Sequence, residues 1–166
     1  MTTNLGIKLS FETELDQAYT SDKEGVGCIR HEGDAEFVWL KGLATIIKGF
    51  VVVFSTADYA ATLFTNAITR ERRLAVAASE ATGSKWGWFQ IRGKARHGVY
   101  AAHDCAADAQ LFSTATAGMV DDAPDGTAGG IFINGMVLNA ACGTSPGATC
   151  GADLNYPNAA SDITAA

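Results

Sequence analysis

The cysteines, histidines and paired aspartates are the residues of this chain whose types and spacing could do chemistry. Cys28-Ile-Arg-His31 and His103-Asp-Cys105 have the short spacings of metal-ligand pairs. Tetrahedral zinc sites are usually built from two such pairs, with two to five residues between ligands. Here one pair lies in a polar segment near the start and the other has a single intervening residue. The alternative is small buried thiols and surface histidines. Asp121, Asp122 and Asp125 form an acidic cluster that could hold a cation such as calcium, but it lacks the Glu-terminated loop of an EF-hand. An Asp-rich turn is the preferred reading. No Gly-x-Ser-x-Gly surrounds any serine, and Thr127-Ala-Gly-Gly130 is too short for a phosphate loop. No catalytic, cofactor-binding or metal-binding residue is assigned from the sequence.

Cys142 and Cys150 flank Pro146-Gly147, a turn signal. If residues 131–141 and 151–156 form a hairpin, the two thiols meet at its neck, where a disulfide is geometrically feasible. A reducing cytoplasm opposes the bond, whereas a particle released from the cell could oxidise it. Both states stay open at this point.

A second pattern is aromatic and basic. Trp86, Trp88, Gln90, Arg92, Lys94 and Arg96 share one face if the segment is extended throughout. Tryptophans followed by bases are the pattern of a groove for single-stranded nucleic acid. Against it, Gly93 is expected to break the strand, and a sequence pI near 4.9 repels phosphate outside a local patch. The other reading is a core-facing tryptophan pair with a basic rim that meets an acidic neighbour.

Charge is sorted along the chain. Residues 1–36, 37–103 and 104–166 carry net charges of −5, +6 and −7, and the last block has no Lys or Arg. Blocks of this kind can pair within a subunit, between subunits or with another surface. The start, Met-Thr-Thr-Asn-Leu-Gly-Ile-Lys, lacks the basic and apolar regions of a secretory leader. No apolar run nears the ~20 residues of a membrane helix. Synthesis in a cytoplasm and no membrane partner are therefore expected.

The elements that must position these groups read as strands. With 166 residues, 48% hydrophobic content and 18 Gly against 3 Pro, the chain suits one domain of many short strands. Runs at 36–42, 46–54, 74–79, 86–92, 94–101, 111–114, 118–121, 131–138 and 152–156 are β-branched or aromatic and are separated by turn residues. The 46–54 run is expected to carry a bulge at Gly49, and 94–101 to pair next to 86–92 across Gly93. Residues 58–65 and 101–109 fit either a strand or turn, or a short helix. The fold class is all-β, a single small antiparallel barrel or sandwich over residues 36–157, with short helical turns. Residues 1–35 read as an extended acidic arm with a helical turn near 12–18, and residues 158–166 as a loose tail.

Four phrases in order resemble the capsid decoration (cement) proteins of tailed bacteriophages: Trp88-Phe-Gln-Ile-Arg-Gly-Lys-Ala95, Leu111-Phe-Ser-Thr-Ala-Thr-Ala-Gly-Met-Val-Asp-Asp-Ala123, Gly135-Met-Val-Leu-Asn-Ala-Ala141 and Leu154-Asn-Tyr-Pro157. Val38-Trp-Leu-Lys-Gly42 fits as well. The resemblance covers about residues 36–157 and implies a small β-rich subunit, commonly trimeric, on the outside of an icosahedral head. It implies a major capsid protein as partner and no catalytic residues. Residues 1–35 and the cysteine pair fall outside it. A contact role for the arm therefore rests on its own residues. Phe11, Glu12, Glu14, Asp16 and Tyr19 are expected to meet the capsid or a neighbouring subunit, with Arg92, Lys94 and Arg96 as basic counterparts. On that basis, loss of residues 1–30 should spare folding and weaken attachment.

Overall fold

The structure is a computed structural model, and it describes residues 10–67, 73–124, 130–143 and 145–160. The described residues contain strands, turns and no helix. The all-β reading therefore holds, with no helical turns among the described residues.

The heart of the fold is a ring of six strands. These are β2 (Ala35–Gly42), β3 (Val51–Phe54), β4 (Ala60–Leu63), β5 (Arg73–Ala77), β6 (Trp86–Lys94) and β12 (Ala152–Ala159). Hydrogen-bonded neighbours run β2–β4–β3–β5–β12–β6 and return to β2, with β5 also touching β6 directly. The β2–β4 pair is parallel and the other ring pairs are antiparallel. β1 (Ile29–Glu32) lies on the edge of β2. From β12 the sheet continues through β10 (Phe132–Leu138), β8 (Leu111–Ser113), β9 (Val120–Asp121), β7 (Val99–Ala101) and β11 (Ala148–Cys150).

Period-two alternation explains why the ring strands read as unbroken apolar runs. Val38 and Leu40, Val52 and Phe54, Ala75 and Ala77, and Phe89 pack in one cluster drawn from β2, β3, β5 and β6. The alternate residues face outward into two other clusters. Val51, Val53, Leu74 and Val76 pack against Leu111, Val120, Ile133 and Leu138 of the remaining sheet. Phe37, Trp39 and Trp88 form a third cluster with Leu15. Strands covered on both faces need apolar residues at every position, as in parallel sheets buried between layers.

Several local expectations change. Only Val51–Phe54 of the 46–54 run is a strand. Before it the chain turns, with Phe50 N–H donating to the Ile47 carbonyl at 3.2 Å and Gly49 at φ 86°. Residues 58–65 resolve as a turn followed by β4. Gly93 does not end β6. It takes φ 85°, and an added Cβ would lie 2.9 Å from the Ala35 Cα, so glycine lets β2 and β6 stay close there. Residues 94–101 do not pair beside β6. The chain turns at residues 95–98, and β7 pairs instead with β9 and β11. β12 extends to Ala159, past the expected end of the domain at 157, and residues 161–166 lie outside the described residues.

Candidate interaction surface

Residues 10–28, expected as an extended arm, fold back over the outer face of β2 and β6. The reason is the Trp39–Trp88 pair. These residues are register partners on adjacent strands, with ring centroids 5.1 Å apart. Left uncovered, they would expose a large apolar face. Phe11 packs edge-on to Trp88 at 5.3 Å, and Tyr19 tilts against Trp39 at 5.9 Å. Tyr19 also exchanges two backbone hydrogen bonds of 2.8 Å with Trp86. Each indole N–H finds an oxygen in the segment: Trp88 donates to the Thr13 hydroxyl at 2.9 Å, and Trp39 to Asp22 at 2.8 Å. The Thr13 hydroxyl donates to Glu24 at 2.6 Å, and Glu24 also accepts the Glu12 backbone N–H at 2.9 Å. Arg30 donates to the Thr13 carbonyl at 2.7 Å, with its guanidinium 5.2 Å from the Phe11 ring centre. The expected helical turn near 12–18 is a β-turn, closed by Gln17 N–H on the Glu14 carbonyl at 3.5 Å.

The acidic first block and the basic middle block meet within one chain. Arg96 donates to Asp16 at 3.0 and 3.3 Å, and His97 lies 2.9 Å from the same carboxylate. The Arg96 hydrogen bond holds the Asp16 carboxyl down at about 2, against partial desolvation and with help from His97. Arg92 donates to Glu36 at 2.9 Å, and Tyr156 donates to the other oxygen at 2.7 Å. Burial works against ionisation of Glu36, but these two hydrogen bonds and nearby positive charge outweigh it and lower its pKa. Gln90, fully buried, positions the basic stretch. Its amide N–H groups donate to the carbonyls of Arg92 (2.9 Å) and Lys94 (2.8 Å), and its oxygen accepts the Arg96 N–H at 2.8 Å.

Of the expected contact residues, Phe11, Asp16, Tyr19, Arg92 and Arg96 are thus engaged inside the subunit. Glu12, Glu14 and Lys94 have exposed side chains. Thr13, Glu36 and Tyr156 were not singled out from sequence. Their roles depend on partners 11 to 120 residues away, and no local signal marks them. Trp88 is 0% exposed, so a stacking platform for bases is not available at that position.

The candidate metal pairs separate differently. Cys28 packs beside the tryptophan cluster, while His31 lies 3.7 Å from Glu36. His103 and Cys105, by contrast, sit with Asp121 and Asp122. The His103 Nδ1 contacts Asp121 Oδ2, Cys105 Sγ lies 3.9 Å from Asp121 Oδ1, and Asp122 accepts the Ala106 N–H at 2.7 Å. Burial chiefly, with added push from neighbouring carboxylates, raises the Cys105 thiol to about 11. Asp125 and residues 127–129 lie outside the described residues. Cys142 and Cys150 are joined by a disulfide with Cα atoms 5.4 Å apart, next to the β10–β12 pairing.

The outer face of β10 and β12 is exposed and weakly charged. Both strands alternate, burying Ile133, Met136, Leu138, Leu154 and Ala159 and exposing Asn134, Val137, Asp153, Asn155, Tyr156 and Asn158. Asp153 is the one charged residue in the two strands. Val137 and Tyr156 are 43% and 49% exposed. Gly135 sits at the register shift in β10 with φ 73°. Beside this face, where β12 enters between the diverging ends of β5 and β6, opens a groove of ≈ 350 Å³ lined by Phe54, Leu74, Ile91 and Pro157 among others. No family model matches the chain, and no curated protein matches it.

Proposed function

We propose that this is a structural virion protein that binds the outside of a phage capsid and stabilises it, acting as a homotrimer that bridges major capsid subunits. The observation that carries the reading is the outer face of β10 and β12. It is exposed and almost uncharged, and it bears a valine and a tyrosine among amides, in a chain where Arg92 and Arg96 pair internally with Glu36 and Asp16. Interface cores are depleted in Lys, Glu and Asp and enriched in aromatics. Two of the sequence phrases that resemble decoration proteins lie on these strands, and the other three on their neighbours in the sheet or beyond. All but Val38–Gly42 fall on β6, β12, β10, β8 and β9, which are consecutive neighbours in the sheet. Weak contacts of one small face, repeated by symmetry on a shell, add up to strong attachment. Under this reading the protein resides on the capsid exterior and has no catalytic role.

The test uses the full chain and Val137→Glu, a substitution at an exposed position that leaves the core untouched. Light scattering after size exclusion should report a trimer for the parent chain. Sedimentation with undecorated heads of the phage that carries this gene should show binding that survives moderate salt. The variant should lose one or both. A parent chain that stays monomeric at high micromolar concentration and does not sediment with heads overturns the proposal. Salt-sensitive binding of an oligonucleotide in place of heads would favour the nucleic-acid alternative.

A further inference from the structure

We propose that Cys105, Asp121 and Asp122, with Asp121 oriented by His103, form a binding site for a borderline-soft divalent cation of the zinc class. The thiol sulfur and one oxygen of each carboxylate lie within 4.8 Å of one another. Tetrahedral zinc with bonds of about 2.0–2.3 Å needs ligand atoms about 3.3–3.6 Å apart, so ligation asks for a contraction of about 1 Å. Three protein ligands and a water complete four-coordination. A thiolate donor selects zinc over calcium or magnesium, which prefer oxygen cages of six or more ligands.

Two features beyond ligand count point to a cation. The first is that two of the donors are buried side by side. Asp121 is 7% exposed and Cys105 2% exposed, and no Lys or Arg occurs anywhere in residues 104–166. The Asp121 carboxylate contacts the imidazole of His103, a residue that lies at the surface, and accepts the Ala123 N–H at 3.3 Å. A buried carboxylate beside a second one is costly unless positive charge compensates it. The second is preorganisation. The loop carrying Cys105 is tied to β9 by Ala102 N–H on the Val120 carbonyl at 2.9 Å and by Ala106 N–H on Asp122 at 2.7 Å. It is tied to the disulfide loop by Cys142 N–H on the Cys105 carbonyl at 2.8 Å. Backbone restraints on both ligand-bearing segments hold the donors together without a metal. His103 fixes the orientation of Asp121 as hydrogen-bond partners of ligating carboxylates do. On binding, the metal–sulfur bond forms, the thiol S–H bond breaks, and its proton leaves to solvent with no change in oxidation state.

The experiment uses the full chain with its disulfide intact, stripped with a chelator and desalted. Cobalt(II) is the probe. One equivalent should saturate a near-ultraviolet band characteristic of thiolate ligation, and zinc should displace it. Zinc should also raise the thermal midpoint by several degrees. Cys105→Ser should abolish the band, which excludes ligation by Cys28. Asp122→Asn should weaken cobalt binding at least about tenfold. It changes a half-buried side chain, so it carries the test if Cys105→Ser does not fold. Absence of the band in the parent chain, its persistence in folded Cys105→Ser, or affinity unchanged in Asp122→Asn overturns the site.

Discussion

The indole N–H of Trp88 donates to the hydroxyl of Thr13 at 2.9 Å, joining β6 to a segment 75 residues upstream. Thr13 then passes a donor on to Glu24, so one hydroxyl satisfies two buried groups. Thr13→Val keeps the shape and removes both bonds. The buried Trp88 indole N–H left without an acceptor costs about 1–3 kcal/mol, and the lost bond to the Glu24 carboxylate adds to it, so the expected loss is about 2 kcal/mol or more in urea unfolding. Leu15→Ala, in the same cover, should cost about 2–5 kcal/mol through lost burial and the cavity left behind. Deleting residues 1–30 should therefore lower the thermal transition, in contrast to the free arm expected from sequence. An unchanged transition in all three variants would mean that the segment is not docked in solution.

Acid should loosen this cover first. Asp16 has its pKa lowered from 3.8 to about 2, chiefly by the Arg96 hydrogen bond, and Glu36 is lowered from 4.5. A depressed carboxyl contributes stability above its unfolded pKa and loses it as pH falls through the folded value. The unfolded chain binds more protons in this window, so stability should rise with pH from about 2 to about 4.5 and then level. Asp16→Asn should flatten part of that limb and leave neutral pH less stable than the parent. Unfolding free energies measured across pH 2–7 decide it. A limb of equal slope in Asp16→Asn would remove Asp16 as a source.

Gln90 should be among the least replaceable polar residues. Gln90→Leu fits a similar volume but orphans the Arg92 and Lys94 carbonyls and the Arg96 N–H. A loss of about 2–4 kcal/mol is expected, together with faster hydrogen exchange at Arg96. A near-neutral effect would show that solvent reaches these groups.

Reducing the Cys142–Cys150 bond should destabilise the chain by roughly 2–3 kcal/mol, the loop-closure value for a short ring. The double variant Cys142→Ser/Cys150→Ser should match the reduced protein and no longer respond to reductant. If reductant still lowers the midpoint of that variant, another bond is responsible.

Much of the strand content could be read locally. Phe37 to Leu40, Val51 to Phe54 and Trp86 to Phe89 are β-branched or aromatic and bounded by turns, and all lie in ring strands. The 46–50 stretch misled because Ile46 and Ile47 look like strand residues, yet Ile46 is buried from the irregular stretch just before a turn. The basic face of β6 was visible as a pattern, but its partners were not. Asp16 and Glu36 could as well have belonged to another subunit.

The sequence alone determined the all-β class, the abundance of tight turns, the charge blocks and the adjacency of Cys142 and Cys150 across a turn. These follow from backbone preferences and spacings within about ten residues. Tertiary structure decided which strands pair, that six of them close into a ring, and that residues 10–28 cover Trp39 and Trp88. It also brought Cys105 to Asp121 and Asp122, two weak motifs that sequence kept apart. The physical reason is that strand propensity is a local property, whereas pairing and cover depend on which distant apolar faces can be buried together.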